Sequence, residues 1–262
     1  YWCDNSPFEF KKWRDVVLNN QVYVNDLAFE ANIIENHDQT RGVSYFIPEE
    51  EYSFESVTAL ATVMLLLKGI PFLYQGQEIG MRNCRFDSAE MYEDISTLEQ
   101  YKQAILKGHD IQSALDVCYQ YSRDNARTPM QWDDSKNAGF SDAEPWIMVN
   151  PNYKEINAKA ELADPNSVFY YYQKLIQLRK EKEIIVYGTY DLLLPESEEL
   201  YVYTRTLGEE KLLVVCNFSE NEVELDIPEE FRKGSYLISN YETRPVENTM
   251  KLRAYESFVV EK

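Results

Sequence analysis

Two short strand-like runs, at residues 31–38 and 70–74, alternate with two helical patterns, and this order limits the fold more than any other feature. An order of helix, strand, helix, strand with apolar strands is typical of parallel βα units. We therefore predict two such units, with both runs forming buried strands. A complete eight-stranded βα barrel needs about 250 residues, whereas these units occupy only the first 80 residues. An eight-fold barrel made of such units would therefore be only partly contained in this chain.

The two helical stretches have recognisable ends. Residues 6–9 read Ser-Pro-Phe-Glu, which supplies an N-cap, a proline at the first helical position and the acid of a capping box. This helix is expected to extend to about Asn20. The second helix is predicted from about Ser53 to Leu67, is apolar on nearly every side and is ended by Gly69.

Regular alternation stops over residues 81–164. Two helices are predicted near 96–107 and 110–121, followed by a polar, aromatic loop over 122–160. The next helix is predicted from about residue 165 to 182, with its apolar residues on one stripe. This region therefore reads as an insertion followed by a final helix.

The character of the chain changes after about residue 186. Short β-rich runs separated by charged turns occupy residues 201–204, 212–215, 223–227 and 257–260. Such runs are typical of an antiparallel sheet. We therefore predict a separate β domain at the C-terminal end.

Composition excludes several classes of partner. The chain has 26 Lys plus Arg against 45 Asp plus Glu, a net charge of −19 that repels phosphate backbones and anionic membranes. Its longest apolar stretch, residues 59–67, is half the length of the ~18 residues that a membrane span needs. We predict neither a nucleic-acid nor a membrane partner.

The four cysteines are scattered at Cys3, Cys84, Cys118 and Cys216, with no Cys-x-x-Cys spacing and no matching histidine cluster. This pattern favours reduced thiols in a cytoplasmic protein over a zinc site. We predict no metal and no cofactor.

Three motifs follow one another along the chain. Residues 36–38 read Asn-His-Asp, residues 74–81 read Tyr-Gln-Gly-Gln-Glu-Ile-Gly-Met, and residues 123–132 read Arg-Asp-Asn-Ala-Arg-Thr-Pro-Met-Gln-Trp. In this order they resemble the motifs of family 13 glycoside hydrolases, the α-amylase superfamily, and specifically its oligo-1,6-glucosidase and α-glucosidase branch. The resemblance extends from about residue 6 to the C-terminus.

The resemblance implies an α/β plus all-β fold. The C-terminal part of a (β/α)8 TIM barrel is expected over residues 1–185, with the insertion at 81–164 and the final barrel helix at about 165–182. A small antiparallel β-sandwich domain is expected over residues 186–262.

The resemblance also implies roles for three residues. Retaining glycoside hydrolysis uses a carboxylate nucleophile and a carboxylic acid roughly 5–5.5 Å apart, and this superfamily adds a third acid that stabilises the distorted sugar. Asp38 matches that third acid. His37 matches a residue that hydrogen-bonds hydroxyls of the same glucose. Arg127 matches an arginine that clamps the non-reducing end, for which a planar fork of donors is suited.

Each of these residues also has a purely structural interpretation. The His37–Asp38 pair resembles a cap at the end of a strand, and Arg127 an arginine that bridges the loop to the barrel. We interpret Arg123 and Asp124 as loop scaffolding outside the site.

Four further residues lie in or near the motifs, and each has an expected role or position. Glu78 is expected to shape the pocket floor, with its carboxylate bonded to backbone or to an arginine. Tyr74 and Trp132 could stack on sugar, although large aromatics more often pack in a core. His109 is predicted to lie at the surface.

Two carboxylates that the family requires are not found in this sequence. In the family, the nucleophile lies in an Arg-x-Asp-like segment and the acid in a Glu-containing segment, both before Asn-His-Asp. Only about 30 residues precede Asn36, and none matches. Residues 85–87 copy the Arg-x-Asp signature, but they follow the motif, so Asp87 is interpreted as an ordinary loop acid. We predict that the chain hydrolyses nothing alone.

The sequence predicts part of an exo-acting, retaining α-glucosidase that cleaves α-1,6 or α-1,4 bonds of short oligosaccharides such as isomaltose. A trehalose-6-phosphate hydrolase stays open and would need basic residues placed for phosphate. A catalytically silent relative that binds sugar or a protein also stays open.

The chain starts at Tyr1 rather than Met and is expected to be a piece of something longer. A truncated barrel would expose strand edges, which predicts self-association.

Overall fold

A computed structural model describes residues 8–24 and 27–262. Its α-helices are α1 (Phe10–Val24), α2 (Gly42–Phe46), α3 (Phe54–Leu66), α4 (Ile95–Leu106), α5 (Ile111–Tyr121), α6 (Asp124–Arg127), α7 (Ala158–Ala163), α8 (Val168–Glu181) and α9 (Glu183–Tyr187). Its strands are β1 (Ala31–Ile33), β2 (Ile70–Phe72), β3 (Thr189–Leu193), β4 (Leu200–Leu207), β5 (Glu210–Asn217), β6 (Val223–Asp226), β7 (Ser235–Ser239), β8 (Thr249–Leu252) and β9 (Ser257–Glu261). None of the helices in these residues has the length and apolar character needed to cross a bilayer.

The chain divides into two compact units, each discontinuous in sequence. The first unit contains Phe8, Ile34–Glu49 and Leu73–Phe169 among the described residues. The second unit contains Glu9–Ile33, Glu50–Phe72 and Tyr170–Lys262, again within the described ranges. The domain boundary between residues 185 and 186 stays a prediction.

Helix α3 confirms the second predicted helix. Its N-cap is Ser53, whose hydroxyl accepts a hydrogen bond from the Ser56 N–H at 3.0 Å, while the Ser56 hydroxyl accepts one from the Ser53 N–H at 3.0 Å. Every residue from Ser56 to Leu66 is buried, as an all-round apolar helix requires. The capping box predicted at residues 6–9 involves residues outside the described ranges, and α1 continues to Val24, beyond the predicted end.

Strands β1 and β2 pair in parallel, with Ala31 opposite Ile70 and Ile33 opposite Phe72, as the βα pattern predicts. The predicted burial and length are wrong. Ile70 is 53% and Phe72 52% exposed, because in the described part of the chain these strands form a sheet of two. β1 ends at Ile33 since the chain then enters a turn, in which the Asp38 N–H donates to Asn36 Oδ1 at 2.8 Å.

The β-rich end forms two sheets within the second unit. Antiparallel strands follow the order β3-β4-β5-β9-β7 in one sheet, and β6 pairs with β8 in the other. Apolar residues of both sheets, together with Ile227 and Phe231 from the segment after β6, share one core: Leu200, Val202, Leu213, Val215, Leu225, Met250, Leu252, Phe258 and Val260. The predicted antiparallel β domain is therefore confirmed.

Two arginines satisfy backbone carbonyls around the C-terminal end of α3, also within the second unit. Arg179 donates to Leu67 O at 3.1 Å and to Gly69 O at 2.7 Å. Arg205 donates to Leu66 O at 2.6 Å. Helix ends leave carbonyls without intrahelical donors, and cations there also favour the helix dipole. These arginines allow α3 to end in the interior.

The segment over residues 81–164 largely follows its prediction. α4 and α5 confirm the two predicted helices. The predicted loop at 122–160 is interrupted by α6, because the Ser122 hydroxyl accepts a hydrogen bond from the Asp124 N–H at 3.1 Å and starts a helical turn. α8 begins at Val168, later than predicted, and ends at Glu181.

Candidate active site

The Asn-His-Asp motif forms an exposed turn in the first unit. The Gln39 N–H donates to Asn36 O at 3.1 Å, which closes the turn. The side chain of Asp38 is 55% exposed and that of His37 is 72% exposed. Nε2 of His37 lies 3.3 Å from Oδ2 of Asp38. The turn therefore presents a carboxylate and an imidazole side by side to solvent.

Helix α6 brings Arg127 to this turn. Its Nε donates to His37 O at 3.0 Å, and its Nη2 donates to Oδ1 of Asp38 at 3.2 Å. The three residues that the sequence selects as a site, His37, Asp38 and Arg127, are thus in contact. The guanidinium group of Arg127 thus joins two segments that lie about ninety positions apart in sequence.

Arg123 precedes α6 and reaches the same carboxylate. Its Nη1 donates to Oδ1 of Asp38 at 3.3 Å. Sequence reasoning left Arg123 outside the site as loop scaffolding. The structure brings it into the ion cluster around Asp38, one helical turn from Arg127, where i and i+4 side chains share a face.

A buried acid, Asp94, holds both arginines from the other side. Its Oδ1 accepts from Arg123 Nη2 at 2.5 Å and from Arg127 Nη1 at 3.5 Å. Burial raises the pKa of the Asp94 carboxyl, but hydrogen bonds from Arg123 and Thr97 outweigh burial and hold that pKa below its usual value. Sequence reasoning missed Asp94, whose local signal is only that of an N-cap before α4.

Asp124 is the third acid of the cluster, and its side chain is fully buried. Its Oδ2 accepts from the backbone N–H groups of Glu93 at 2.8 Å and Asp94 at 2.9 Å, while its Oδ1 lies 3.8 Å from Arg127 Nη1. This is the scaffolding role that the sequence predicts for Asp124. Two guanidinium groups and three carboxylates leave the cluster with one negative charge.

A buried ion pair next to the turn joins it to the other motifs. Arg41 Nη1 donates to Glu35 Oε1 at 3.1 Å and to Gln75 O at 2.7 Å, and its Nη2 donates to Ala126 O at 3.5 Å. Burial raises the pKa of Glu35, and Arg41 opposes that rise. Arg41 therefore links the turn at 36–39, the segment at 74–81 and α6.

Comparison with protein families identifies the chain. Residues 2–188 match the family model described as the alpha amylase catalytic domain, and residues 200–259 match the alpha-amylase SusG C-terminal domain. The chain belongs to the α-amylase family. It therefore carries part of an α-amylase (β/α)8 catalytic domain followed by an antiparallel β domain, as the sequence predicts.

Individual relatives support the predicted branch of the α-amylase family. The chain is 53% identical to an oligo-1,6-glucosidase of Parageobacillus thermoglucosidasius over 253 residues, covering 95% of this chain and 45% of that protein. It superposes on the crystal structure of Bacillus licheniformis trehalose-6-phosphate hydrolase with a TM-score of 0.93 and 38% identity, covering 99% of this chain and 48% of that one. Isomaltulose synthase from Klebsiella sp. LX3 gives a TM-score of 0.92 and 35% identity, with coverages of 99% and 47%. The chain thus spans less than half the length of these α-amylase-family relatives.

The remaining candidate residues of this α-amylase-family chain lie apart from the ion cluster or serve the fold. Glu78 Oε2 accepts from the Gly76 N–H at 2.8 Å, which confirms a carboxylate bonded to backbone. The Tyr74 hydroxyl donates to Ala126 O at 3.1 Å, whereas Trp132 is exposed. Asp87 is exposed in a loop, and His109 is half-buried.

A metal site does not emerge from the described geometry. Among residues 8–24 and 27–262, no group of three or more His, Cys, Asp or Glu side chains is arranged to hold a metal ion.

Proposed function

We propose that this chain supplies the part of an exo-acting, retaining α-glucosidase that binds glucose and stabilises the transition state. Asp38 acts as the stabilising acid, His37 hydrogen-bonds hydroxyls of the same glucose, and Arg127 clamps its non-reducing end. The substrates are short α-1,6- or α-1,4-linked oligosaccharides such as isomaltose. No Arg-x-Asp or Glu segment of the family's kind precedes residue 36. The 262 residues therefore turn over no glucoside alone.

This proposal rests on the exposed carboxylate of Asp38, which accepts hydrogen bonds from two arginines through one of its oxygens. Both arginines donate to Oδ1, while Oδ2 faces His37. A fixed carboxylate near an oxocarbenium-like carbon favours the transition state over the neutral ground state. Because the surrounding contacts hold Asp38 before substrate arrives, little reorganisation is needed during the reaction.

Local charge favours a plain sugar over a phosphorylated one. The two arginines of the cluster are matched by three carboxylates, which leaves one negative charge beside the turn. A phosphate group is recognised by a surplus of donors and positive charge. The names of the relatives include both an oligo-1,6-glucosidase and a trehalose-6-phosphate hydrolase. The charge of the cluster supports the first class.

Transfer of this chain into a relative tests the proposal. The chain is assayed alone and in a fusion, in which it replaces the matching region of the Parageobacillus thermoglucosidasius oligo-1,6-glucosidase, to which it is 53% identical. A chromogenic α-glucoside should be hydrolysed by the fusion and not by the chain alone. Isomaltose should be preferred to trehalose 6-phosphate.

Three outcomes would contradict the proposal. Turnover by the chain alone would mean that the nucleophile and the acid lie within these 262 residues. A folded fusion that binds isomaltose without hydrolysing any glucoside would support the catalytically silent alternative. Preference for trehalose 6-phosphate over isomaltose would support the phosphosugar hydrolase.

We also propose that a second copy of this chain covers the β1–β2 sheet. The support is the exposure of Ile33, Ile70 and Phe72 on this two-stranded sheet of the second unit. Exposed strands with apolar side chains pair readily. Sedimentation velocity should show a dimer fraction that rises with concentration. Ile70→Lys should abolish it, and Ile95→Lys, the same exchange at an exposed helix start, should not. A monomer at every concentration would overturn this proposal.

The compartment is proposed to be the cytoplasm. Cys84, Cys118 and Cys216 are free and buried among the described residues. Reduced thiols of this kind are usual in reducing compartments.

A further inference from the structure

Asp94 is the buried acid of the ion cluster that contacts both arginines. It is the N-cap of α4, and its side chain is 3% exposed. Its Oδ2 accepts from the Thr97 N–H at 3.0 Å and from the Thr97 hydroxyl at 2.9 Å. The carboxylate therefore has one oxygen fixed to a helix start, while the other faces the arginines.

The second oxygen of Asp94 mirrors the arginine contacts of Asp38. Arg123 uses Nη1 for Asp38 and Nη2 for Asp94. Arg127 uses Nη2 for Asp38 and Nη1 for Asp94. Each guanidinium group thus bridges the exposed acid to the buried one, and the planar fork of arginine makes such two-sided contacts directional.

We propose that Asp94 is a positioning residue that aligns Arg123 and Arg127 so that both donate to Oδ1 of Asp38. This inference rests on the proposed function, in which Asp38 is the stabilising acid. Asp94 does not touch the sugar and acts only through the arginines. Asp94 also neutralises part of the positive charge of the two arginines. Asp38 therefore keeps more of its negative charge for the transition state.

Without Asp94, the two arginines would be held only weakly at Asp38. Both arginines are half-buried, and Asp38 itself lies on an exposed turn. Ion pairs between exposed, flexible side chains contribute little and lose side-chain entropy. A buried carboxylate that is already fixed at a helix N-terminus removes much of this freedom. The geometry at Asp38 therefore depends on an acid about 56 positions away in sequence.

Asp94→Asn separates the positioning role from the capping role. Asn caps helices about as well as Asp, so α4 keeps its start. A carboxamide has one oxygen, however, and if that oxygen accepts from Thr97, the NH2 group faces the arginine donors. Asp110→Asn is the matched control, because Asp110 is the exposed N-cap of α5 and accepts from the Ser113 N–H at 2.9 Å.

Arginine side-chain NMR on the full chain provides the readout. In the unaltered chain and in Asp110→Asn, the Nη signals of Arg123 and Arg127 should be resolved, because both guanidinium groups are held from two sides. In Asp94→Asn their rotation should accelerate roughly tenfold or more, since each loses a charge-assisted contact. If Asp94→Asn fails to fold, Asp94→Ser, another preferred N-cap, gives the same readout.

Failure of this inference can be told from failure of the proposed function. Unchanged guanidinium rotation in folded Asp94→Asn or Asp94→Ser overturns the positioning role, whether or not the fusion is active. In the active fusion, Asp94→Asn should lower kcat about tenfold or more with a smaller change in KM, and Asp110→Asn should change neither by more than about twofold. Equal kcat values for the two variants would also overturn it.

Discussion

Replacing Arg205 by alanine is expected to lower the free energy of unfolding of the second unit by about 3–5 kcal/mol. The side chain is fully buried and donates to four carbonyls: Leu66 O at 2.6 Å, Ile185 O at 2.8 Å, Gly188 O at 2.7 Å and Thr189 O at 3.1 Å. Burial lowers the pKa of Arg205 to about 10, so the guanidinium group stays protonated at neutral pH and keeps all its donors. Alanine would leave the carbonyls buried without these donors, at about 1–3 kcal/mol for each one that stays unsatisfied.

Hydrogen exchange of the β4 and β5 amides measures this loss within the second unit itself. Arg232→Ala is the matched control, because Arg232 Nε donates to a single carbonyl, Ile227 O, at 3.0 Å. The control should cost about 0.5–1.5 kcal/mol. Equal losses in the two variants would show that water or neighbouring groups replace the Arg205 donors.

Features encoded within one short segment could be predicted from sequence. The apolar run after Ser53 specifies α3, since its cap and its all-round burial depend on adjacent residues. The alternating β-rich runs after residue 186 specify an antiparallel sheet for the same reason. The Asn-His-Asp motif could be selected because residue types at fixed spacing carry the family resemblance.

Features that depend on distant partners could not be predicted. Asp94 looks like an ordinary N-cap in sequence, and its arginine partners lie 29 and 33 positions away. The Glu35–Arg41 pair is close in sequence, but its burial depends on the segments around Gln75 and Ala126. Exposure of β1 and β2 could not be read from their apolar residues either, because burial depends on what packs against a strand.

Replacing Asp38 by asparagine is expected to lower kcat of the fusion on the order of 10²–10³-fold, the loss typical of removing one preorganised electrostatic contact. Asparagine keeps the shape of the side chain and one acceptor oxygen. It removes the negative charge that would face the oxocarbenium-like carbon. The guanidinium groups of Arg123 and Arg127, at 3.3 Å and 3.2 Å from this side chain, would then be balanced only by Asp94 and Asp124, so the cluster would lose its net negative charge.

Asp87→Asn provides the matched control for this change. Asp87 is an exposed acid in the same unit and copies the Arg-x-Asp signature without contacting the Asp38 cluster in the described interactions. The substitution alters net charge by the same amount. It should leave kcat within about twofold, because isolated surface charges contribute little.

The ratio of kcat between these two variants of the fusion, measured at saturating isomaltose, tests the central claim most directly. A value for Asp38→Asn at least about a hundredfold below that for Asp87→Asn is the predicted result. Comparable values in two folded variants that bind isomaltose equally would contradict it, since Asp38 would then not stabilise the transition state.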